Sequence, residues 1–297
     1  MEHRCGYVAL VGAPNAGKST LMNALLGDKV AIVTSKPQTT RDNIQGILTL
    51  SFAQIIFTDT PGLHCSGKKF NQLMIDRAVQ ALQDADMAYF LVDAAKGVPK
   101  HWHAFFKEIL GTIKIPVFLI LNKADLVSAE ALQKREEEYR PWKEFEYINH
   151  ISALYPQTIQ EMLRKTLDYL PPSPPLYPPD MISDTTERYF VRELIREKMF
   201  ELLQDELPYS CAVEVEEFRE HDDRKDYIYA HIYVENNSQK KIVIGKNGEK
   251  LKMIGSLARK DIEEYLDKKV FLELWVKVKK NWTKNPGFLK QLGYWNK

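Results

Sequence analysis

The chain has 297 residues, 44% apolar and 27% charged, a balance that excludes general disorder and at this length implies about two folded domains. Its formal net charge of +1 offers no overall argument for a nucleic-acid partner, but the sum conceals two opposed regions near the C-terminus. The longest apolar run, 115–121, is far short of the roughly 20 residues of a membrane-spanning helix. The apolar stretch at 7–11 is too brief for a signal peptide.

Strand patterns at 7–11, 44–50, 55–57, 87–92 and 117–121 alternate with helical patterns at 20–26, 72–83, 102–110 and 129–140. Continuous apolar strands between helices predict an α/β domain, a mainly parallel sheet with helices on both faces. Six prolines between Leu170 and Asp180 forbid a helix and disfavour an interior strand, so they mark an interdomain linker. Beyond it come a helix at 187–204, strands at 212–218 and 227–234, a helix pair around Gly245–Gly248 and a strand at 270–278, a smaller α+β unit. The expected boundaries are 1–172, a linker at 173–186, and 187–297. Cys5, Cys65 and Cys211, odd in number and scattered, argue against a disulfide framework and for the cytosol.

Gly12-Ala13-Pro14-Asn15-Ala16-Gly17-Lys18-Ser19 follows the first strand and, with Thr20, opens the first helix, the context a P-loop requires. Its backbone N–H groups are expected to wrap phosphate oxygens. Lys18 would reach the β- and γ-phosphates and Ser19 would hold Mg²⁺. Asp59-Thr60-Pro61-Gly62 leaves the C-terminal end of a strand, which places Asp59 to reach Mg²⁺ through water and the Gly62 N–H to reach the γ-phosphate.

Asn122-Lys123-Ala124-Asp125 ends another buried strand and selects the base. Asp125 accepts from guanine's ring N–H and exocyclic amino group together, a pair that adenine does not offer, which counts against an ATPase. Asn122 orients the loop, and the stem of Lys123 covers the base. Ile151-Ser152-Ala153 supplies a turn whose backbone is expected to touch the guanine oxygen. The substrate and product are then GTP and GDP.

These motifs, in this order at strand ends, resemble the translation-factor-related branch of P-loop GTPases. The resemblance implies that Pro37-Gln38-Thr39-Thr40-Arg41-Asp42 is the first switch, with the Thr40 or the Thr39 hydroxyl on Mg²⁺. It implies further that Leu63, expected among the nucleotide-contacting residues, stands where Ras-like proteins carry a water-orienting glutamine, and that Asn15 helps to hold a K⁺ ion in place of an arginine finger. Lys18, Asn15, Thr40 and Gly62 are the expected catalytic residues, with slow intrinsic turnover.

From 238 to 297 there are 15 Lys/Arg against 6 Asp/Glu, and from 184 to 237 there are 7 against 15. Within the basic part, Ile244-Gly245-Lys246-Asn247-Gly248 and Lys250 form an apolar turn, a Gly-x-x-Gly loop and the start of a basic helix, suited to close approach by an RNA backbone. Lys279 and Trp282 in the tail are further RNA candidates, for phosphate pairing and base stacking; the alternative is a solvated strand end with Trp282 packed on the core. His101 and His103 read as exposed helix-start histidines, not a metal site.

With its flanking elements the Gly-x-x-Gly loop resembles a type II KH domain. Together with the switch motif, Glu193 to Lys198, Glu206 to Ser210 and the ending 276–292, the chain resembles the bacterial ribosome-assembly GTPases that end in a KH domain. The resemblance implies a monomeric switch that binds the 3′ end of small-subunit ribosomal RNA, acts in 30S assembly and associates in part with the inner face of the membrane. The competing reading is a membrane-associated signalling GTPase whose basic domain binds anionic lipid or a protein partner.

Overall fold

The computed structural model describes residues 2–37, 39–63 and 69–294, so that Gln38 and Cys65 lie outside the described residues. The chain divides into two compact units. Unit 1 comprises residues 1–31 and 40–184, and unit 2 comprises residues 32–39 and 185–297.

Unit 1 begins with β1 (Arg4–Gly12), α1 (Lys18–Leu26), β2 (Ile44–Leu50), β3 (Ala53–Asp59) and α2 (Lys69–Asp84). It continues through β4 (Met87–Asp93), α3 (His103–Thr112), β5 (Val117–Asn122), α4 (Ala129–Tyr139), β6 (Tyr147–His150) and α5 (Gln160–Leu167). The strand order is β2-β3-β1-β4-β5-β6, parallel except for the β2–β3 hairpin. Every residue of β3, β4 and β5 is buried, which is why 55–57, 87–92 and 117–121 read as unbroken apolar runs. On one face Tyr89 stacks on Phe118 with centroids 5.8 Å apart and its hydroxyl meets Thr166 of α5. On the other, Ala9, Phe90 and Leu119 share a core with Ala78 of α2, Phe106 of α3 and Tyr139 of α4. The four-residue edge strand β6, half-buried throughout, has no apolar run to announce it.

The proline-rich segment is not a free connector; through Asp184 it belongs to unit 1. Gln54, fully buried, accepts the N–H groups of Leu176 and Tyr177 at 2.8 and 2.9 Å and donates to the Tyr177 carbonyl at 2.9 Å and to Thr49 Oγ1 at 3.0 Å. Further along, the Ile47 N–H donates to the Ile182 carbonyl at 2.8 Å and Ser183 bridges to Gly46. Prolines prevent a regular ladder, so side chains carry much of the attachment.

Unit 2 holds α6 (Glu187–Leu202), β7 (Ala212–Arg219), β8 (Asp226–Val234), α7 (Asn237–Ile244), α8 (Glu249–Leu266), β9 (Val270–Val278) and α9 (Pro286–Gln291). The three-stranded sheet runs β7-β8-β9, with β8 antiparallel to β7 and parallel to β9. Ile254, Ala258 and Ile262 recur every fourth residue on α8 and pack with Val191, Leu194 and Ile195 of α6 against Ile228, Ala230 and Ile232 of β8. The segment 32–39 is part of this unit. Ile32 joins its core, Glu197 accepts the Val33 N–H at 3.1 Å, Lys36 donates to the Leu203 carbonyl, and Arg196 donates to the Thr39 carbonyl at 2.9 Å. Among the described residues no helix is long and apolar enough to cross a membrane.

Replacing Gln54 with Ala removes the shared acceptor of two part-buried N–H groups and the donor to a carbonyl, with an expected loss of about 1–2 kcal/mol. Urea denaturation and chymotryptic cleavage after Leu176 would test this; unchanged stability and unchanged cleavage would show that the segment is held by other contacts.

Candidate functional site

The loop after β1 turns sharply because Asn15 and Gly17 adopt φ of 62° and 95°. A Cβ on Gly17 would lie 2.2 Å from Asn122 Nδ2, so no larger residue fits there without displacing Asn122. Lys18, the first residue of α1, is buried, and its ammonium donates to the carbonyls of Gly12 and Ala13 at 3.3 and 3.2 Å. Burial lowers its pKa to about 8, against the opposing pull of the Asp59 charge.

Three oxygens from separate segments meet beside it. Ser19 Oγ donates to Asp59 Oδ2 at 2.5 Å, and Thr40 Oγ1 lies 3.0 Å from Ser19 Oγ and 3.2 Å from Asp59 Oδ2. Asp59 is fully buried and its Oδ1 has no hydrogen-bond partner. Burial raises its pKa, offset in part by Lys18 and the two hydroxyls. An all-oxygen set with an unsatisfied carboxylate oxygen is the donor chemistry of Mg²⁺. Between the two switch threonines the geometry favours Thr40, because the Thr39 hydroxyl is engaged with Thr34 Oγ1 at 2.7 Å and the Lys36 carbonyl at 2.9 Å.

After β3, the Thr60 hydroxyl donates to the Leu10 carbonyl at 2.7 Å, and Pro61 and Gly62 are buried against the P-loop. Leu63 donates its N–H to the Gly12 carbonyl at 3.1 Å while its side chain enters the core with Val11 and Ala13. Its side chain is therefore not a nucleotide contact as expected, because an apolar group at this position gains more from burial.

At the base-reading end, Asn122 Nδ2 donates to the Ala16 carbonyl at 2.9 Å and Asn122 Oδ1 accepts the Ala153 N–H at 3.0 Å. The Ser152 N–H is taken by Thr158 Oγ1 at 3.1 Å. These two amides, expected on the guanine oxygen, have protein partners in this structure: that of Ala153 fixes Asn122, and that of Ser152 closes its own turn. Lys123, at φ 64°, spans from the Asn15 carbonyl at 2.8 Å to Asp93 Oδ2 at 2.6 Å. Asp125 is exposed on the turn that follows. Asp93 belongs to none of the motifs, yet it also caps the next turn by accepting the N–H groups of Ala95 and Lys96 at 3.0 Å each. Its only sequence signal is an acid at the C-terminal end of a buried strand.

In unit 2, α7 and α8 are joined through Gly245, Asn247 and Gly248 at φ 76°, 51° and 79°. Lys246 and Asn247 are exposed, Lys250 is half-buried, and Ile244 packs against the core. Beside the loop runs a groove of about 340 Å³ between α8 and β9, lined by Gly248, Leu251, Lys252, Gly255, Ser256, Arg259, Leu272 and Leu274. Lys252 and Arg259, which carry no motif, follow Gly248 at helical spacing and give the groove its cations. Trp282, expected to stack on bases, is fully buried and donates its indole N–H to the Ser210 carbonyl at 2.9 Å. It is a core residue, since a large ring with its one polar group satisfied is more stable inside. Lys279 lies outside the groove lining, its ammonium 5.0 Å from the Phe288 ring centroid.

A family model described as a 50S ribosome-binding GTPase matches residues 7–123, and a KH-domain model matches 206–283. Over 293 residues, 99% of this chain and 98% of the relative, the sequence is 46% identical to the GTPase Era of Geotalea uraniireducens. It is 44% identical to the GTPase Era of Staphylococcus haemolyticus with the same coverage. The chain belongs to the Era family of GTPases. Two solved Era structures resemble it with TM-scores of 0.92 and cover 98% of this chain and 99% of their own. One is an Aquifex aeolicus Era variant bound to GDP and AlF₄⁻, at 38% identity. The other is Era in complex with MgGDPNP and nucleotides 1506–1542 of 16S ribosomal RNA, at 37% identity. The Era fold, a P-loop GTPase domain followed by a KH domain, accounts for both units.

If Asp125 reads guanine in this Era-family chain, Asp125→Asn is expected to lower GTP affinity about a hundredfold or more and to admit xanthosine triphosphate, because the ring N–H and amino group lose a common acceptor. Competition binding with a fluorescent guanine nucleotide decides it; a retained preference for GTP would remove Asp125 from this role.

Proposed function

We propose that this chain is a GTP-gated RNA-binding factor that acts on the 3′ region of small-subunit ribosomal RNA during 30S assembly. The observation that carries the reading is the basic groove beside the Gly245–Gly248 loop, in the same chain as the nucleotide site. Lys246 and Asn247 on the loop, Lys250 in the first turn of α8 and Lys252 and Arg259 in the groove meet phosphates, and Leu251, Leu272 and Leu274 receive unstacked bases. The relative bound to 16S ribosomal RNA has the same architecture at 37% identity. The chain works in the cytoplasm, as the free thiols of Cys5 and Cys211 suit.

In the GTPase unit, Gly12 to Thr20 wrap the phosphates, and Lys18 neutralises charge between the β- and γ-phosphates. Ser19, Thr40 and Asp59 hold Mg²⁺, which when bound neutralises charge on the phosphate oxygens. The Gly62 N–H meets the γ-phosphate, and with Leu63 in the core no side chain there orients water. Asn122, Lys123 and Asp125 hold the base. Thr40 belongs to unit 1 and Thr39 to unit 2, so the chain passes between units within one peptide bond of the proposed Mg²⁺ ligand. That is the route by which nucleotide state alters RNA affinity, and at equilibrium RNA must alter nucleotide affinity by the same factor.

Nothing lies within 4 Å of a Cβ on Gly248, whereas a Cβ on Gly245 would lie 2.7 Å from that of Lys250. Gly248→Asp therefore projects a carboxylate into open space where a phosphate must approach, and Asp tolerates positive φ better than most residues. The expected result is loss of binding to a 16S 3′-end oligonucleotide by more than about tenfold, with GTP hydrolysis in the absence of RNA unchanged. Full RNA binding by the variant would refute the groove assignment, and binding to anionic vesicles alone would favour the membrane reading.

The exposed Asn15, held at positive φ with its carbonyl bonded to Lys123, is proposed to help hold K⁺ near the phosphates. Hydrolysis is expected to be about tenfold or more faster in K⁺ than in Na⁺, and Asn15→Ala should abolish the difference. Equal rates in the two salts would eliminate the K⁺ site.

A further inference from the structure

The sheet of unit 2 has a second face, turned away from α6 and α8. Along β9, Phe271 and Trp275 point to it and are 56% and 55% exposed. In register beside them on β8 stand Tyr227, Tyr229 and His231. Phe271 and Tyr227 stack with centroids 5.9 Å apart and planes within 12°. Glu273 lies between the two exposed rings in sequence and is oriented by both sides, accepting from the Tyr227 hydroxyl at 2.9 Å and the Trp275 indole N–H at 2.6 Å. These two donors hold its carboxyl below the usual carboxylate range.

The charge on this face is opposite to that of the RNA groove. A bulge in β7 between Val215 and Glu217 turns two consecutive glutamates to the same side. Glu216 accepts from the His231 ring and the Tyr233 hydroxyl, and Glu217 pairs with Arg219. The Arg219 guanidinium in turn sits 5.9 Å from the Tyr227 ring centroid, so the face already seats one guanidinium on an aromatic ring beside a carboxylate. Carboxylates repel RNA phosphates, whereas aromatic faces and carboxylates together attract cations, arginine above all because its planar group stacks as well as pairs.

We propose that this outer face is a docking surface for an arginine-rich peptide segment of a protein partner, with guanidinium groups seated on Phe271, Tyr227 and Trp275 against Glu273. Exposed aromatic rings are the side chains enriched at interface centres, and Glu273 beside them supplies the charge that selects a cation.

The test uses the full chain and a fluorescein-labelled dodecapeptide of alternating Arg and Gly, followed by anisotropy at physiological salt. The expected result is saturable binding, weakened about tenfold or more by the Phe271→Ala/Trp275→Ala pair and by Glu273→Gln, and abolished when citrulline replaces every Arg. Gly248→Asp should leave peptide binding unchanged. The altered side chains are largely exposed or on the surface, and circular dichroism with GTP hydrolysis confirms that each variant is folded. Absence of binding, or equal binding by parent and variants, overturns the proposal. Crosslinking of a 4-thiouridine RNA to this face, lost in Trp275→Ala, also overturns it and makes the surface a second nucleic-acid platform.

Discussion

The side-chain amide of Asn122 holds the nucleotide site together. One end donates to Ala16 in the P-loop and the other accepts from Ala153 in the turn after β6. The loops that follow three strands, β1, β5 and β6, are thereby fixed to one another by a single planar group, and a carboxamide alone among similar side chains offers both a donor and an acceptor in that geometry. Gly17 is glycine because this amide occupies the space its Cβ would fill. The parallel sheet brings the strand ends to one edge, and Asn122 converts that neighbourhood into a fixed distance between the phosphate-wrapping and base-reading loops.

Electrostatics divides the second unit much as Asn122 unites the first. The same short sheet separates a groove with Lys252 and Arg259 from an outer face with Glu216, Glu217 and Glu273. A strand places successive side chains on opposite sides, so β9 can give Leu272 and Leu274 to the groove beside α8 and Phe271, Glu273 and Trp275 to the other face. A near-neutral total charge is thus compatible with two surfaces of opposite sign.

The nucleotide motifs were legible in the sequence because each is a contiguous loop whose chemistry depends on its own residues. What depended on distant partners was not. Prolines at 171–179 indicated an interruption of regular structure, but their attachment to unit 1 needs Gln54, some 120 residues earlier. An aromatic among lysines looks the same whether it stacks on a base or fills a core, and only the three-dimensional position of the Ser210 carbonyl decides for Trp282. Thr39 and Thr40 have the same hydroxyl; their partners, Thr34 against Ser19 and Asp59, tell them apart. Lys252 and Arg259 lay in plain view on a helix whose groove-facing stripe becomes evident once β9 is in place.

Unit 2 is not one continuous stretch of sequence, since it includes residues 32–39. Helix α6 buries Glu193, Arg196 and Glu197, and desolvating such charges is unfavourable unless each finds partners. Arg196 obtains one from the Thr39 carbonyl and Glu197 one from the Val33 N–H, both contributed by a strip of chain that precedes the helix by about 150 positions. A gene fragment encoding 185–297 alone would therefore give a protein with a missing piece. Ile32 would be absent from its core, two buried charges would lose main-chain partners, and the autonomy suggested by a compact RNA-binding fold would be incomplete.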